Sequence, residues 1–276
     1  MKYYCMERFL YRLSVSSHAD KFILKGALML RVWQAPEIRP TMDIDMLGRT
    51  SDNLENIAGI VRAICELDIA DDDGLIFDGK HIAVEQITED AGYPGVRARI
   101  PVMLDTAALK VQMDIGFGDA VYPDPQKHFF PVMLNSPAPN LFCYSRESTI
   151  AEKFEAMLKR GKLNSRMKDF YDIWLLAGQC DFDGSQLRDA VRRTLERRNV
   201  HLPEQITAFS DEFIEQKRIQ WNAFRKKLRN VSAPENFAGT VTMIKRFLMP
   251  VIENLRSGKP VPKHWPASGP WQSLKK

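Results

Sequence analysis

The chain has 276 residues, of which 45% are apolar and 27% are charged, and its formal net charge is +4. This composition is typical of a globular protein with one large domain or two smaller ones. No apolar run reaches the roughly 18 residues that a membrane span needs, and the charged N-terminus lacks the apolar core of a secretory signal. We therefore expect a cytoplasmic protein that has no membrane partner. The four cysteines are far apart in sequence, so we expect them to be reduced and packed.

In chain order, the apolar periodicity first predicts a helix over 3–17, a short strand over 22–24 and a helix over 27–33. Residues 39–48 alternate between apolar and acidic side chains, which predicts a half-buried strand. A helix beginning near residue 54 follows. Further strands are predicted over 75–77, 82–87, 96–104 and 109–117.

The second half of the chain is helical in pattern. After a predicted loop over 122–140, helices are expected near 146–160, 166–178, 185–198, 207–228 and 237–256. The proline-rich remainder is expected to be extended. The fold class is therefore α+β, a mixed sheet with flanking helices followed by a helical C-terminal domain. The expected domains are 1–140, 141–256 and a tail over 257–276.

Two carboxylates lie on one face of the predicted strand 39–48. Asp43 and Asp45 are two residues apart, so their side chains would point the same way, about 6 to 7 Å apart. Like charges this close repel each other unless a cation lies between them. Because carboxylate oxygens are the donors that hard cations prefer, the pair predicts a site for Mg²⁺ or Mn²⁺.

The surroundings of this pair strengthen the prediction. Upstream, Lys25, Gly26 and Ala27 join a predicted strand to a predicted helix, where a glycine lets the backbone approach a phosphate. Downstream, Asp114 lies on a second alternating strand. We expect the two strands to be neighbours in one sheet, where the three aspartates would form a two-metal site for nucleotidyl transfer.

These features resemble the polymerase-beta type of nucleotidyltransferase, and more closely its AbiEii/AbiGii branch of toxins from abortive-infection and type IV toxin–antitoxin systems. The resemblance runs from Met6 to Leu176. It is carried by Lys25-Gly26-Ala27, Arg39-Pro40-Thr41-Met42-Asp43-Ile44-Asp45, Asp114, Ala151-Glu152-Lys153-Phe154 and Arg166-Met167-Lys168-Asp169-Phe170-Tyr171-Asp172. Ala27 departs from the wider superfamily, which often has a serine that touches the triphosphate at this position.

The resemblance implies roles for individual residues. Asp43, Asp45 and Asp114 would be catalytic and hold the metal, and Lys153 and Asp169 would also be catalytic. The residues implied in NTP binding are Lys25, Gly26, Ala27, Arg39, Thr41, Arg166 and Lys168. It further implies an RNA acceptor at the tRNA 3′ end, a block of translation, and a cognate antitoxin that is an AbiEi-like transcriptional regulator with a winged-helix DNA-binding part.

The same residues also admit structural roles. Lys153 could be a solvated lysine, and Asp169 and Asp172 could pair with Arg166 or Lys168 in a structural ion network. Otherwise Asp169 would fix a phosphate-binding cation or act as a base. Basic residues of the last third can follow a phosphate backbone or form a solvated face: Arg192, Arg193, Arg197, Arg198, Lys217, Arg218, Arg225, Lys226, Lys227 and Arg229.

Rival functions also follow from the pattern. A glycosyltransferase also uses an Asp-x-Asp motif, but it would need a nucleotide-binding half upstream, and only 42 residues precede Asp43. The acceptor could be a protein in place of RNA. The chain could also be a non-catalytic module that binds nucleic acid or a partner.

Overall fold

The computed structural model describes residues 1–35, 39–70, 72–89, 93–228 and 233–273, except the side chains of Glu89 and Tyr93. The chain forms two compact units. Unit 1 comprises Met1–Gln34, Pro40–Asp119 and Pro125–Tyr144, and unit 2 comprises Ala35–Arg39, Ala120–Asp124 and Ser145–Lys276. None of the described helices is long and apolar enough to span a bilayer.

Unit 1 is built on a mixed eight-stranded sheet. Its strands are β1 (Phe22–Lys25), β2 (Ile44–Gly48), β3 (Leu75–Phe77), β4 (Ala83–Glu89), β5 (Tyr93–Leu104), β6 (Ala107–Phe117), β7 (Gln126–Phe129) and β8 (Asn140–Cys143). The order is β3-β5-β6-β2-β1-β8-β7, with β4 also paired to β5. The two strands predicted to carry the aspartates, β2 and β6, are parallel neighbours in the middle of this order.

One face of the sheet is covered by the helices of unit 1. These are α1 (Lys2–Val15), a 3₁₀ turn over Gly26–Leu28 that continues into α2 (Met29–Val32), and α3 (Leu54–Cys65). Alternate residues of β6, Val111, Met113 and Ile115, are fully buried in one apolar core. The intervening residues of β6, which include Asp114, therefore lie on the opposite face of the sheet.

Two predictions for unit 1 were wrong in detail. The predicted loop 122–140 contains the edge strand β7 and the first residue of β8. All four residues of β7 are exposed, so the strand has no apolar alternation to reveal it. The predicted strand 39–48 begins only at Ile44, so Asp43 directly precedes the strand and Asp45 lies within it.

Unit 2 is helical, as predicted. Its helices are α4 (Arg146–Arg160), α5 (Met167–Gln179), α6 (Gly184–Arg197), α7 (Asp211–Leu228) and α8 (Phe237–Ser257). An aromatic cluster packs α5, α7 and α8 together, with Phe170 and Trp221 both in ring contact with Phe237. The expected α+β class, a mixed sheet with flanking helices and then a helical region, is confirmed.

The C-terminal segment packs on unit 2. A short strand β9 (Phe182–Asp183) pairs with β10 (His264–Trp265), and the Trp265 side chain is buried and donates to the carbonyl of Ala177. This contact anchors the C-terminal segment, which was predicted to be extended, to the helices of unit 2. The four cysteines are buried free thiols, as expected: Cys5, Cys65, Cys143 and Cys180.

Candidate active site

Asp45 and Asp114 lie side by side in the sheet. In the parallel pairing of β2 with β6, Asp45 is the register partner of Asp114. Both side chains are half-buried. Asp43, which is also half-buried, lies just before β2. Strand pairing thus brings together two of the three aspartates that the sequence singled out.

Gly26 lies directly against Asp45. Its φ is +73°, a conformation that L side chains rarely adopt. A Cβ atom at this position would lie only 1.9 Å from Oδ2 of Asp45. The position therefore requires glycine for two separate reasons, and the glycine lets the Asp45 carboxylate lie directly against the backbone.

The neighbours of Gly26 have other contacts. Lys25 is buried, its Nζ lies 2.9 Å from Oδ2 of Asp119, and it is the register partner of Asp45 across β1 and β2. Ala27 is buried in the 3₁₀ turn. The hydroxyl of Thr41 donates to the backbone carbonyl of Asp43 at 3.3 Å. These contacts hold the chain around both aspartates of the Asp-x-Asp motif.

Asp114 is held by an arginine that the sequence pattern did not reveal. Nε and one terminal nitrogen of Arg97 donate to its two carboxylate oxygens at 2.8 and 2.7 Å, and Gln112 donates to the same oxygens at 3.2 and 3.3 Å. The hydrogen bond to Asp114 and the charges of Asp114 and Asp43 raise the pKa of Arg97. The sequence pattern places Arg97 and Asp114 on two long alternating strands. The register that aligns the two residues cannot be derived from either strand alone.

The carboxylates fit a divalent cation in their donor chemistry, because all three are hard oxygen ligands. Because Gly26 has no side chain, the Asp45 carboxylate can lie directly against its backbone. Within the described ranges, no three histidine, cysteine, aspartate or glutamate side chains converge as a metal-binding group. Asp43 and Asp45 therefore fit as ligands in this arrangement, whereas Asp114 would first have to exchange Arg97 for the cation.

Unit 2 holds a second cluster, in which Lys153 is shared by two buried aspartates. Nζ of Lys153, on α4, lies 3.1 Å from Oδ1 of Asp169 and 2.8 Å from Oδ2 of Asp172, both on α5. The aspartate side chains are 1% and 2% exposed and that of Lys153 is 13% exposed. Lys153 is thus not a solvated lysine.

Three more cations surround these carboxylates. Arg39 donates to both oxygens of Asp172 at 2.8 and 3.0 Å, and Arg166 pairs with Asp169 from one turn earlier. Asp172 therefore pairs with Arg39 and Lys153, not with Arg166 or Lys168 as the sequence suggested. Lys168 lies near enough to these groups for the charges of Arg166 and Asp169 to act on it.

The pKa shifts follow from this arrangement. Burial alone would raise the pKa of Asp169, but Lys153 and Arg166 hold it well below the ordinary 3.8. A carboxylate stabilised in this way is a weak base, so orientation of the cations suits Asp169 better than proton abstraction. Burial and the charge of Arg166 lower the pKa of Lys168. An anion would relieve this repulsion.

A mixed sheet with paired aspartates on neighbouring strands beside a glycine turn, and a helical region with a cationic cluster, are the features that we expect of a nucleotidyltransferase from the sequence. The sequence model of the family described as nucleotidyl transferase AbiEii toxin, type IV toxin–antitoxin system, matches residues 8–242. The chain belongs to this family and is a nucleotidyltransferase. Membership implies an NTP substrate and an antitoxin partner.

Two crystal structures from Helicobacter pylori resemble the fold. The protein JHP933 is 13% identical, with a TM-score of 0.48 over 92% of this chain and 94% of its own. A second protein, provisionally named a nucleotidyltransferase, is 17% identical, with a TM-score of 0.41 over 82% of this chain and 95% of its own. No protein of curated function matches the chain in sequence.

Proposed function

We propose that this nucleotidyltransferase transfers a nucleoside monophosphate from an NTP to a hydroxyl of RNA, that the acceptor is the tRNA 3′ end, and that translation stops as a result. The observation that carries the proposal is the alignment of Asp45 with Asp114, with the Asp45 carboxylate lying directly against the backbone of Gly26. Paired carboxylates of this kind can hold a divalent cation that also binds the phosphates of an NTP.

Asp43, Asp45 and Asp114 would hold Mg²⁺ or Mn²⁺. When bound, the cation supplies neutralisation of phosphate charge and activation of the attacking hydroxyl. In the reaction, the acceptor oxygen forms a bond to the α-phosphorus. The bond from that phosphorus to the bridging oxygen breaks, pyrophosphate leaves, and the proton of the hydroxyl passes to solvent water.

The cationic cluster of unit 2 would neutralise the triphosphate. Asp169 and Asp172 fix the directions of Lys153, Arg166 and Arg39 by short ion pairs. Cations held in place before the substrate arrives lose little entropy on binding it. The lowered pKa of Lys168 supports an anionic ligand here, because burial and the charge of Arg166 disfavour its protonated form and a bound anion would favour it.

The acceptor surface would be narrower than the run of basic residues suggested. Several of these side chains have partners within unit 2. Arg192 forms an ion pair with Glu196, Arg198 with Glu155 and Arg218 with Glu215, and Lys217 is buried against Phe213. Arg229 lies outside the described residues. Arg193 is exposed on α6, and its guanidinium lies 4.2 Å from the ring centre of Tyr122. Stacked arginine and aromatic groups suit single-stranded RNA.

Incubation with each labelled NTP, Mg²⁺ and total RNA tests the proposal. We expect label on RNA, concentrated in the tRNA fraction and released by nucleases that trim 3′ ends, and no label with Asp43→Asn. If the label is found on protein alone, the acceptor is a protein and not RNA. An active Asp43→Asn variant would contradict the role of the carboxylates.

A further inference from the structure

Arg97 and Asp114 face each other across the antiparallel pairing of β5 with β6, where they are register partners. The contact is bidentate, with nitrogen-to-oxygen distances of 2.8 and 2.7 Å, and it occupies both oxygens of Asp114. Planar guanidinium and carboxylate groups match in this geometry, which makes it one of the stronger ion pairs in proteins.

The same guanidinium also acts on Asp43, whose charge contributes to the electrostatic environment of Arg97. The guanidinium contacts Asp114 directly and lies within electrostatic reach of Asp43. It supplies the positive charge that the closely spaced carboxylates need, at the place where the proposed function puts a divalent cation.

A neighbouring pair on the same strand shows how this contact differs. Arg99, two residues along β5, pairs with Glu85 of β4 at 2.7 Å, and the carboxylate side chain of Glu85 is 47% exposed. The two arginine side chains have similar exposure, 28% for Arg97 and 32% for Arg99, but that of Asp114 is only 13% exposed. Water can solvate Glu85 when its arginine leaves. Asp114 is mostly shielded, so it needs another cation in place of Arg97.

We propose that Arg97 is a positioning residue that competes with the divalent cation: it holds Asp114 in the metal-free protein and releases it when the cation binds. This inference rests on the proposed function, because it takes Asp114 as a metal ligand. The bidentate contact makes binding of the metal and release of Arg97 one coupled exchange.

Titration of Mn²⁺, followed by electron paramagnetic resonance of the free ion, tests the exchange. Arg97→Met keeps the bulk of the side chain and removes every donor, so we expect Mn²⁺ to bind about fivefold more tightly or better. Arg97→Gln serves as the second variant if Arg97→Met does not fold, with a smaller gain in the same direction. Arg99→Gln is the matched control and should leave the affinity within about twofold. Adding Asp114→Asn to Arg97→Met should remove the gain.

The wild-type protein gives a second measurement. The Nε–H resonance of Arg97, assigned by its loss in Arg97→Met, should shift on titration with Mg²⁺, while that of Arg99 should not. Unchanged or weaker Mn²⁺ binding in both Arg97 variants, or an Arg97 resonance that does not respond to Mg²⁺, overturns the proposal. Release of pyrophosphate distinguishes failure of this inference from failure of the proposed function. If the same wild-type preparation releases pyrophosphate and Asp43→Asn does not, the proposed function stands without the exchange.

Discussion

Asp172 accepts two hydrogen bonds from Arg39, a residue 133 positions earlier in the chain, and a third contact from Lys153. Arg39 precedes Asp43 by only four residues. The same stretch of chain therefore carries a cation of the unit 2 cluster and the first carboxylate of unit 1. The sequence resemblance placed Arg39 and Asp43 in one motif. The ion pair of Arg39 with Asp172 gives a physical reason for the arginine in that motif.

Substituting Gly26 by alanine should impair both activity and stability. The added Cβ would collide with the Asp45 carboxylate at 1.9 Å, and φ is +73°. Displacing a catalytic carboxylate by about 1 Å lowers turnover on the order of 100-fold.

Gly258→Ala is the matched control, because Gly258 has a φ of +69° and an added Cβ there would meet no atom within 4 Å. It should cost about 1 kcal/mol of stability and no activity. Pyrophosphate release and thermal unfolding measure both effects; equal activity in the two variants would contradict the role of Gly26.

Asp43→Asn and Asp114→Asn should both abolish metal-dependent transfer, but they should differ in stability. Sequence alone suggests that removing either charge relieves repulsion. In the structure, Asp114 is the bidentate partner of Arg97, so its loss should lower the unfolding free energy by about 1 kcal/mol. Asp43→Asn leaves that ion pair intact and should unfold near the wild-type temperature. Denaturant unfolding of the metal-free proteins compares the two, and a more stable Asp114→Asn variant would show that repulsion dominates.

Much of the site could be predicted because its residues carry local signals. Period-two alternation placed Asp114 on a strand, and the strand–glycine–helix pattern identified Gly26. Contacts that depend on register or on distant segments had no such signal. Arg97 meets Asp114 only because β5 and β6 pair in one register, and Arg39 meets Asp172 across 133 positions. The edge strand β7 was missed because its exposed residues lack alternation.

Lys153→Ala should weaken NTP use while the protein still folds. Asp169 would keep Arg166 and Asp172 would keep Arg39, so neither buried carboxylate would lose its last cation. We expect a loss of about 2 kcal/mol of stability and a KM for NTP raised by roughly tenfold or more. Arg166→Lys should also raise KM if the planar guanidinium contacts phosphate. Lys159→Ala, an exposed lysine on the same helix, is the control. Normal kinetics in both variants would make these residues structural.

Affinity for NTP should fall at alkaline pH because of Lys168. Burial and Arg166 lower its pKa from the ordinary 10.5, so it loses its proton earlier than an exposed lysine. A bound anion favours the protonated form, so binding should take up protons as pH approaches the lowered pKa. The lowered pKa also means that the charged form costs stability at neutral pH, a cost that is lost as pH rises from the lowered pKa to the ordinary 10.5. Lys168→Met should therefore stabilise the ligand-free protein at neutral pH.

Calorimetry in buffers of different ionisation enthalpy measures this proton uptake. Lys168→Arg, which stays charged throughout the range, should abolish both the uptake and the alkaline loss of affinity. An unchanged pH profile in that variant would assign the titration to another group.

The last prediction concerns RNA. If α6 receives the acceptor, binding should weaken steeply with salt, because neutralising phosphates releases counterions. Charge reversal at Arg193 and Arg197 should lower RNA affinity and leave NTP binding intact. Reversal at Arg192, whose guanidinium pairs with Glu196 at 3.0 Å, should do less through RNA than reversal at Arg193. Lys259→Glu, which reverses an exposed cation beyond the end of α8, is the control for net charge.

Filter binding at several salt concentrations measures the number of phosphates that the protein contacts. The slope of log affinity against log salt concentration should fall by about one for each arginine reversed. A slope and affinity that do not respond would make the α6 surface a solvated face and direct the search for the acceptor to proteins or small molecules.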